Sequence, residues 1–167
     1  MRLQTVTTLG NKQIAVDSNA LVALIDANDT WHNNAQATFS ALRLQQFQPV
    51  YFDCVMNETI NVLGRRTTEQ GRSNQLPTLL SNLVNRVPVD RITWASQDTQ
   101  RFYPDIIQMV LQHNGELNFH DALIALACQD LDVPFLFSFD RDFDAISWLT
   151  RIGEPGDIPT RQRESES

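Results

Sequence analysis

The sequence predicts one α/β domain: a parallel sheet of four to five strands with helices on both faces. Short apolar runs of strand length alternate with longer amphipathic stretches, the pattern of repeated strand–helix–strand units. The length of 167 residues fits a single domain able to bury roughly two-thirds of its unfolded surface. In addition, Asp17 directly follows the first strand-like run and Asp140 the last clear one. The domain is expected over 1–152, with a polar, frayed tail over 153–167 that carries Pro155, Pro159 and a charged terminal run.

Each element has its own signal. Gln13 to Val16 reads as a short buried strand ending on Asp17. Ala20 to Ile25 follows as a helix, with Ser18 or Asn19 available to cap it. In the segment from Thr30 to Gln46, Trp31, Ala35, Phe39 and Leu42 recur at helical spacing. Pro49 to Phe52 is a second strand. Val55, Thr59, Val62 and Leu63 mark a third helix, and Leu76, Leu79, Leu80, Leu83 and Val84 a fourth. Val87-Pro88-Val89 is a candidate strand, and Thr99 to Gln112 a further helix. Asp121 to Leu131 is helical with apolar residues on most sides, Val133 to Ser138 is the last clear strand, and Arg151-Ile152 offers a fifth.

Bulk properties narrow the function classes. No stretch reaches the roughly 18 consecutive apolar residues needed to span a bilayer, and the N-terminus has no apolar core of a signal peptide. Cys54 and Cys128 sit in apolar segments, which favours buried free thiols over a disulfide. A cytoplasmic location is therefore expected. The net charge of −7 argues against a nucleic-acid partner. That argument is softened by the cations, because all basic residues except Lys12 are arginines, which suit bidentate phosphate contacts.

Sheets of this kind bind ligands beyond the carboxyl ends of their strands, so acids at that rim matter. Asp17 and Asp140 belong there. Glu58 stands early in the third helix, and Asp121 opens the helix that precedes the last strand. Each alone reads at least as readily as a helix cap or a solvated carboxylate near a positive helix end, and a lone Asp at a strand end is more often a cap than a ligand. Together they suit Mg²⁺, which prefers hard oxygen ligands and keeps several waters. Two such ions about 3.5–4 Å apart can supply hydroxide and steady the leaving oxygen of a phosphodiester. Carboxylates gathered without cations would repel one another.

These stretches resemble a PIN domain, the family that includes the VapC toxins of bacterial toxin–antitoxin pairs. The similar segments are Ile14-Ala15-Val16-Asp17-Ser18-Asn19, Asn57-Glu58-Thr59 with Leu63, Phe119-His120-Asp121-Ala122-Leu123-Ile124-Ala125, and Phe137-Ser138-Phe139-Asp140-Arg141-Asp142-Phe143. The resemblance implies a three-layer α/β/α sandwich and a Mg²⁺-dependent ribonuclease, with Mn²⁺ able to substitute. It assigns Asp17, Glu58, Asp121 and Asp140 to the catalytic and metal-binding positions, and Ser18, Asn19 and Ser138 to supporting ones. Asp142 and Asp144 compete with Asp140 for the fourth acid. The implied mechanism is direct hydrolysis that leaves a 5′-phosphate and a 3′-hydroxyl. The implied partners are an RNA substrate, a cognate antitoxin protein of a type II pair and a homodimer.

Arg65, Arg66 and Arg72 follow the Glu58 helix and are candidates for phosphate contacts, with a solvated cationic helix end as the plainer reading. Trp31, Phe39, Leu42 and Phe47 are either core or the groove that an antitoxin segment fills. His120 is left out of the catalytic set, because adjacent helical side chains diverge by about 100°. Three other readings stand against the ribonuclease. An inactive PIN-like binding module fits poorly with four intact acids. A small-molecule phosphohydrolase would show a P-loop or an Asp-x-Asp motif after the first strand, where this chain has Asp17-Ser18-Asn19. A receiver-like domain would need a later Lys, and Lys12 is the only one.

Overall fold

Five parallel strands form one sheet in the order β3-β2-β1-β4-β5. They are β1 (Gln13–Val16), β2 (Gln48–Phe52), β3 (Ile92–Thr93), β4 (Phe135–Phe137) and β5 (Thr150–Ile152). Six helices connect them: α1 (Ser18–Ile25), α2 (His32–Leu44), α3 (Asp53–Glu69), α4 (Leu76–Arg86), α5 (Thr99–Gln112) and α6 (Phe119–Asp130). This computed structural model describes residues 12–159.

The order explains the layers. The steps β1 to β2 to β3 run one way across the sheet, and β3 to β4 to β5 runs back. With right-handed crossovers, α1 to α4 cover one face, while α5 and α6 cover the other. The packing agrees: α1 lies on α2 and α3, α3 on α4, and α5 on α6. The three-layer α/β/α arrangement is the expected one. β1 is central, so Ile14, Ala15 and Val16 are all buried, and the strand shows no apolar–polar alternation because both its faces are covered. The direction of winding reverses between β1 and β4, which opens a crevice at their carboxyl ends.

Several elements differ from the sequence reading. Val87-Pro88-Val89 is not a strand. Val87 caps α4, Val89–Arg91 is a 3₁₀ turn, and β3 follows at Ile92–Thr93 beside Tyr51 and Phe52. Pro88 has no N–H to give a sheet ladder, so pairing starts after it. Trp31 lies just outside α2, half-exposed, and stacks on Phe139 at 4.9 Å. Leu42 and Phe47 are core, whereas Val84 is exposed. α1 is capped by Asp17 rather than by Ser18 or Asn19.

The segment after β5 also departs from expectation. Gly153 and Ile158 are buried, and Asp157 Oδ2 accepts from the backbone N–H groups of Gly153 at 2.8 Å and Glu154 at 3.1 Å. Residues 153–158 therefore fold against the domain through this turn. The expected tail over 160–167 lies outside the described residues. Cys54 and Cys128 are buried free thiols, and burial pushes each up to about 12. No described helix is long and apolar enough to cross a membrane.

Candidate active site

Asp17 leaves β1 at the crevice and is buried. Its Oδ1 accepts from the Ser18 N–H at 2.7 Å, which caps α1. Its Oδ2 accepts from Asn19 Nδ2 at 2.8 Å and Ser138 Oγ at 2.7 Å. Asn19 then closes the ring. Its Oδ1 accepts from the Phe139 N–H at 3.0 Å, and its Nδ2 also lies 3.1 Å from Ser138 Oγ. All three residues expected to support the cluster thus surround one carboxylate, tying the end of β1 to the end of β4.

Asp121 occupies the third position of α6. The helix runs antiparallel to β4, so its N-terminus points to the same rim. Asn118 Oδ1 accepts from the Asp121 N–H at 3.1 Å, while Asp121 Oδ2 accepts from the Asn118 N–H at 2.9 Å. This reciprocal box satisfies two backbone donors and leaves Asp121 Oδ1 without a hydrogen-bond partner among the described residues. Capping and a site role therefore coexist at Asp121, as they do at Asp17. Asn118 was missed in the sequence, although an Asn three residues before an acid at a helix start is the signature of such a box. Glu58 stands half-buried in the second turn of α3.

Electrostatics show which acids come together. Burial pushes the Asp17 carboxyl up to about 7, the Ser138 and Ser18 hydrogen bonds pull it down, and Asp121 and Glu58 push it up further. Burial likewise raises Asp121 to about 6, opposed by the Asn118 backbone, with Asp140 and Glu58 adding to the rise. Asp17 thus lies in the fields of Asp121 and Glu58, and Asp121 in those of Asp140 and Glu58. Asp140 is the residue of the last motif that acts on Asp121. Its Oδ1 also accepts from the Asp142 N–H at 2.9 Å, capping a 3₁₀ turn over Arg141–Ala145. Asp142 is exposed. Asp144 is held by Arg151, whose Nε and Nη2 donate to it at 2.7 and 3.2 Å, while Nη1 donates to the Ser138 carbonyl at 3.1 Å. Sequence reasoning gave Arg151 no part in bracing this loop.

The donor set is all carboxylate oxygen with hydroxyl and amide support, which suits a hard divalent cation rather than a soft one. A cation there would offset the burial and, secondarily, the mutual repulsion that raise Asp17 and Asp121. Among the described residues, no three His, Cys, Asp or Glu side chains close into a ready-made metal cage.

The candidate phosphate-binding arginines are placed differently from one another. Arg65 is exposed. Arg66 forms an ion pair with Asp29. Arg72 donates to both oxygens of buried Asp26, at 2.8 and 3.3 Å. Arg66 and Arg72 thus fasten the end of α3 to the α1–α2 connection. Arg65 and Arg66 lie seven and eight residues beyond Glu58, about 10–12 Å along the helix axis. His120 is exposed at the start of α6.

The sequence from 14 to 149 matches the family model of the PIN domain. The chain belongs to the PIN domain family. Its PIN domain resembles the crystal structure of Mycobacterium tuberculosis VapC20, a sarcin–ricin loop cleaving toxin, with a TM-score of 0.61 and 20% identity over 80% of this chain and 95% of that one. It also resembles VapBC2 of Rickettsia felis bound to a DNA fragment from their promoter, with a TM-score of 0.60 and 15% identity over 84% of this chain and 97% of that one. At these identities the likeness establishes the shared PIN fold. No curated protein matched the sequence.

Proposed function

We propose that this PIN domain is a Mg²⁺-dependent endoribonuclease, with Mn²⁺ able to substitute, and the toxin of a type II toxin–antitoxin pair in the cytoplasm. One observation carries the reading: four carboxylates from β1, α3, α6 and the β4 exit share one rim, and Asp17 and Asp121 are raised by burial and by the other acids. The sarcin–ricin loop cleaved by VapC20 supports RNA as the substrate class. The paired name VapBC2 supports a protein partner, here a cognate antitoxin, and a homodimer is a further assembly open to the chain.

Asp17 and Asp121 are the principal cation ligands in this reading, with Glu58 and Asp140 completing the set or orienting the attacking water. A bound divalent cation supplies an activated water and charge neutralisation at the scissile phosphate. Ser18, Asn19 and Ser138 orient the Asp17 carboxylate through the hydrogen bonds described above. Asn118 fixes Asp121 in the same way. Arg65 is free to meet backbone phosphates.

The test is cleavage of a labelled RNA by the purified chain with Mg²⁺, with EDTA, and with the Asp17→Asn and Asp121→Asn variants. Cleavage that needs the metal and is lost in both variants is expected. Variants that cut as well as the wild type would remove the proposed site. Harmless expression in a bacterial host alongside a positive cleavage assay would remove the toxin role and leave the enzyme.

A further inference from the structure

A second feature of the fold lies at the opposite end of the sheet. Between the C-terminal ends of α2 and α4, beside the start of β2, is an open groove of about 870 Å³. Arg43, Arg86 and Arg91 line it, together with Phe39, Phe47 and Tyr51. The net charge is −7, yet among the described residues no carboxylate lines this groove. Among the described residues, none of the three arginines forms an ion pair.

Helix ends explain only part of this. Arg43 and Arg86 stand in the last turns of α2 and α4, where a cation is favoured in any case. Arg91 has no such reason, since it closes the short 3₁₀ turn before β3, yet it meets the same space. The convergence is close enough that all three guanidiniums oppose the rise that burial imposes on the Tyr51 phenol. Arg86 also lies over the Phe39 ring at 5.5 Å, and Lys12 over the Phe47 ring at 5.1 Å.

We propose that this groove is a second nucleic-acid contact, binding the backbone phosphates of single-stranded RNA through Arg43, Arg86 and Arg91. Unpaired guanidinium forks match phosphate oxygens bidentately, and a positively charged groove tracks the backbone of a single strand, here over a floor formed by buried Phe47 and Tyr51. The amides of Gln46, Gln48 and Asn85, which also line it, can hydrogen-bond base edges. Three arginines with no opposing acid among the described residues favour a ligand charged at every unit along its length, as a phosphodiester backbone is. The groove is separated from the carboxylate rim by the length of β1, about 13 Å, so an RNA held here extends well beyond the bond being cut. The inference rests on RNA being the substrate of the rim, and binding can be read apart from cleavage.

The experiment measures binding of a fluorescein-labelled 20-nucleotide single-stranded RNA by anisotropy, in EDTA, across a salt series. The chains compared are the wild type, the triple variant Arg43→Gln/Arg86→Gln/Arg91→Gln, and the triple Arg→Lys variant at the same positions. Thermal melts establish that each is folded. Loss of three phosphate contacts on a single strand should make the slope of log affinity against log salt shallower by about 2. The Gln variant should bind about tenfold or more weakly at low salt. The Lys variant should keep most of the slope, because it keeps the charge. Wild-type binding by the folded Gln variant overturns the inference. So does a folded Lys variant whose salt slope falls as far as that of the Gln variant, and so does a groove that captures a polyglutamate peptide but not RNA. If the wild type binds RNA through the groove yet never cuts it, the ribonuclease reading fails and the groove stands. If it cuts RNA while the Gln variant binds normally, only the groove fails.

Discussion

Ser138 Oγ donates to Asp17 Oδ2 at 2.7 Å, joining two residues 121 positions apart across the seam between β1 and β4. This bond pulls Asp17 toward its charged form against the burial that raises it. Removing it with Ser138→Ala should raise the Asp17 pKa further and shift the acid limb of the rate–pH profile upward. Partners that orient a metal ligand typically contribute 10–100-fold, so cleavage near neutral pH should fall by about an order of magnitude. A rate–pH profile superimposable on the wild type would show that the bond does not act on catalysis.

The fourth acid is decided by comparing two substitutions. Asp140 acts on Asp121, whereas Asp144 is held by Arg151. Asp140→Asn is expected to lower kcat/KM of RNA cleavage sharply. Asp144→Asn should leave cleavage near wild type and cost about 1 kcal/mol of stability, because Asp144 is half-exposed while its partner Arg151 is largely buried. The reverse ranking in the cleavage assay would assign the role to Asp144.

Stability should depend on pH in a direction fixed by Asp17 and Asp121. Their folded values, about 7 and about 6, lie above the ordinary 3.8. Between those values the folded chain binds more protons than the unfolded one, so stability falls as pH rises through that window. Asp26, held below its ordinary value by the Arg72 hydrogen bond despite its burial, behaves oppositely. Its contribution is present above 3.8 and lost only as pH falls below that. Melts in EDTA should therefore show Tm declining between about pH 4 and pH 7. Mg²⁺ should flatten the decline, because binding to the folded state stabilises it by mass action. A Tm that rises over this range in EDTA would contradict the assignment.

Thr59 provides a prediction about the core alone. Its hydroxyl is buried without a hydrogen-bond partner among the described residues, on the stripe of α3 that includes Val55 and Leu63. Thr59→Val removes an unsatisfied polar atom at nearly constant shape. A gain of about 1 kcal/mol is expected, or roughly 2–4 °C in Tm for a domain of this size. A lower melting temperature would mean that the hydroxyl is satisfied in solution.

Much of this molecule was legible in the sequence, for local reasons. The helix over Thr99–Gln112 was expected at its observed bounds, because its apolar stripe has the right period. α6 was legible because eight consecutive residues from Asp121 to Cys128 are buried, leaving hardly any polar interruption. The third strand was misplaced because Val87 and Val89 have strand-like side chains, while Pro88 withholds the donor that pairing needs. The fold of residues 153–158 was missed because its main support is a bond from Asp157 to its own turn, amid residues whose composition reads as a tail.

The sequence by itself determined the alternation of strands and helices, and hence a parallel sheet with acids at its rim. It also determined which residue types were available to a hard cation. Only the tertiary structure decided that β1 and β4 are neighbours, so that Ser138 reaches Asp17. It likewise decided that Arg66 and Arg72 are tied to Asp29 and Asp26, and that Arg43, Arg86 and Arg91 meet in one groove. The physical reason is the same in each case. Periodicity and capping are written within a few residues of one another, whereas strand order and ion pairing join segments that sequence distance leaves unrelated.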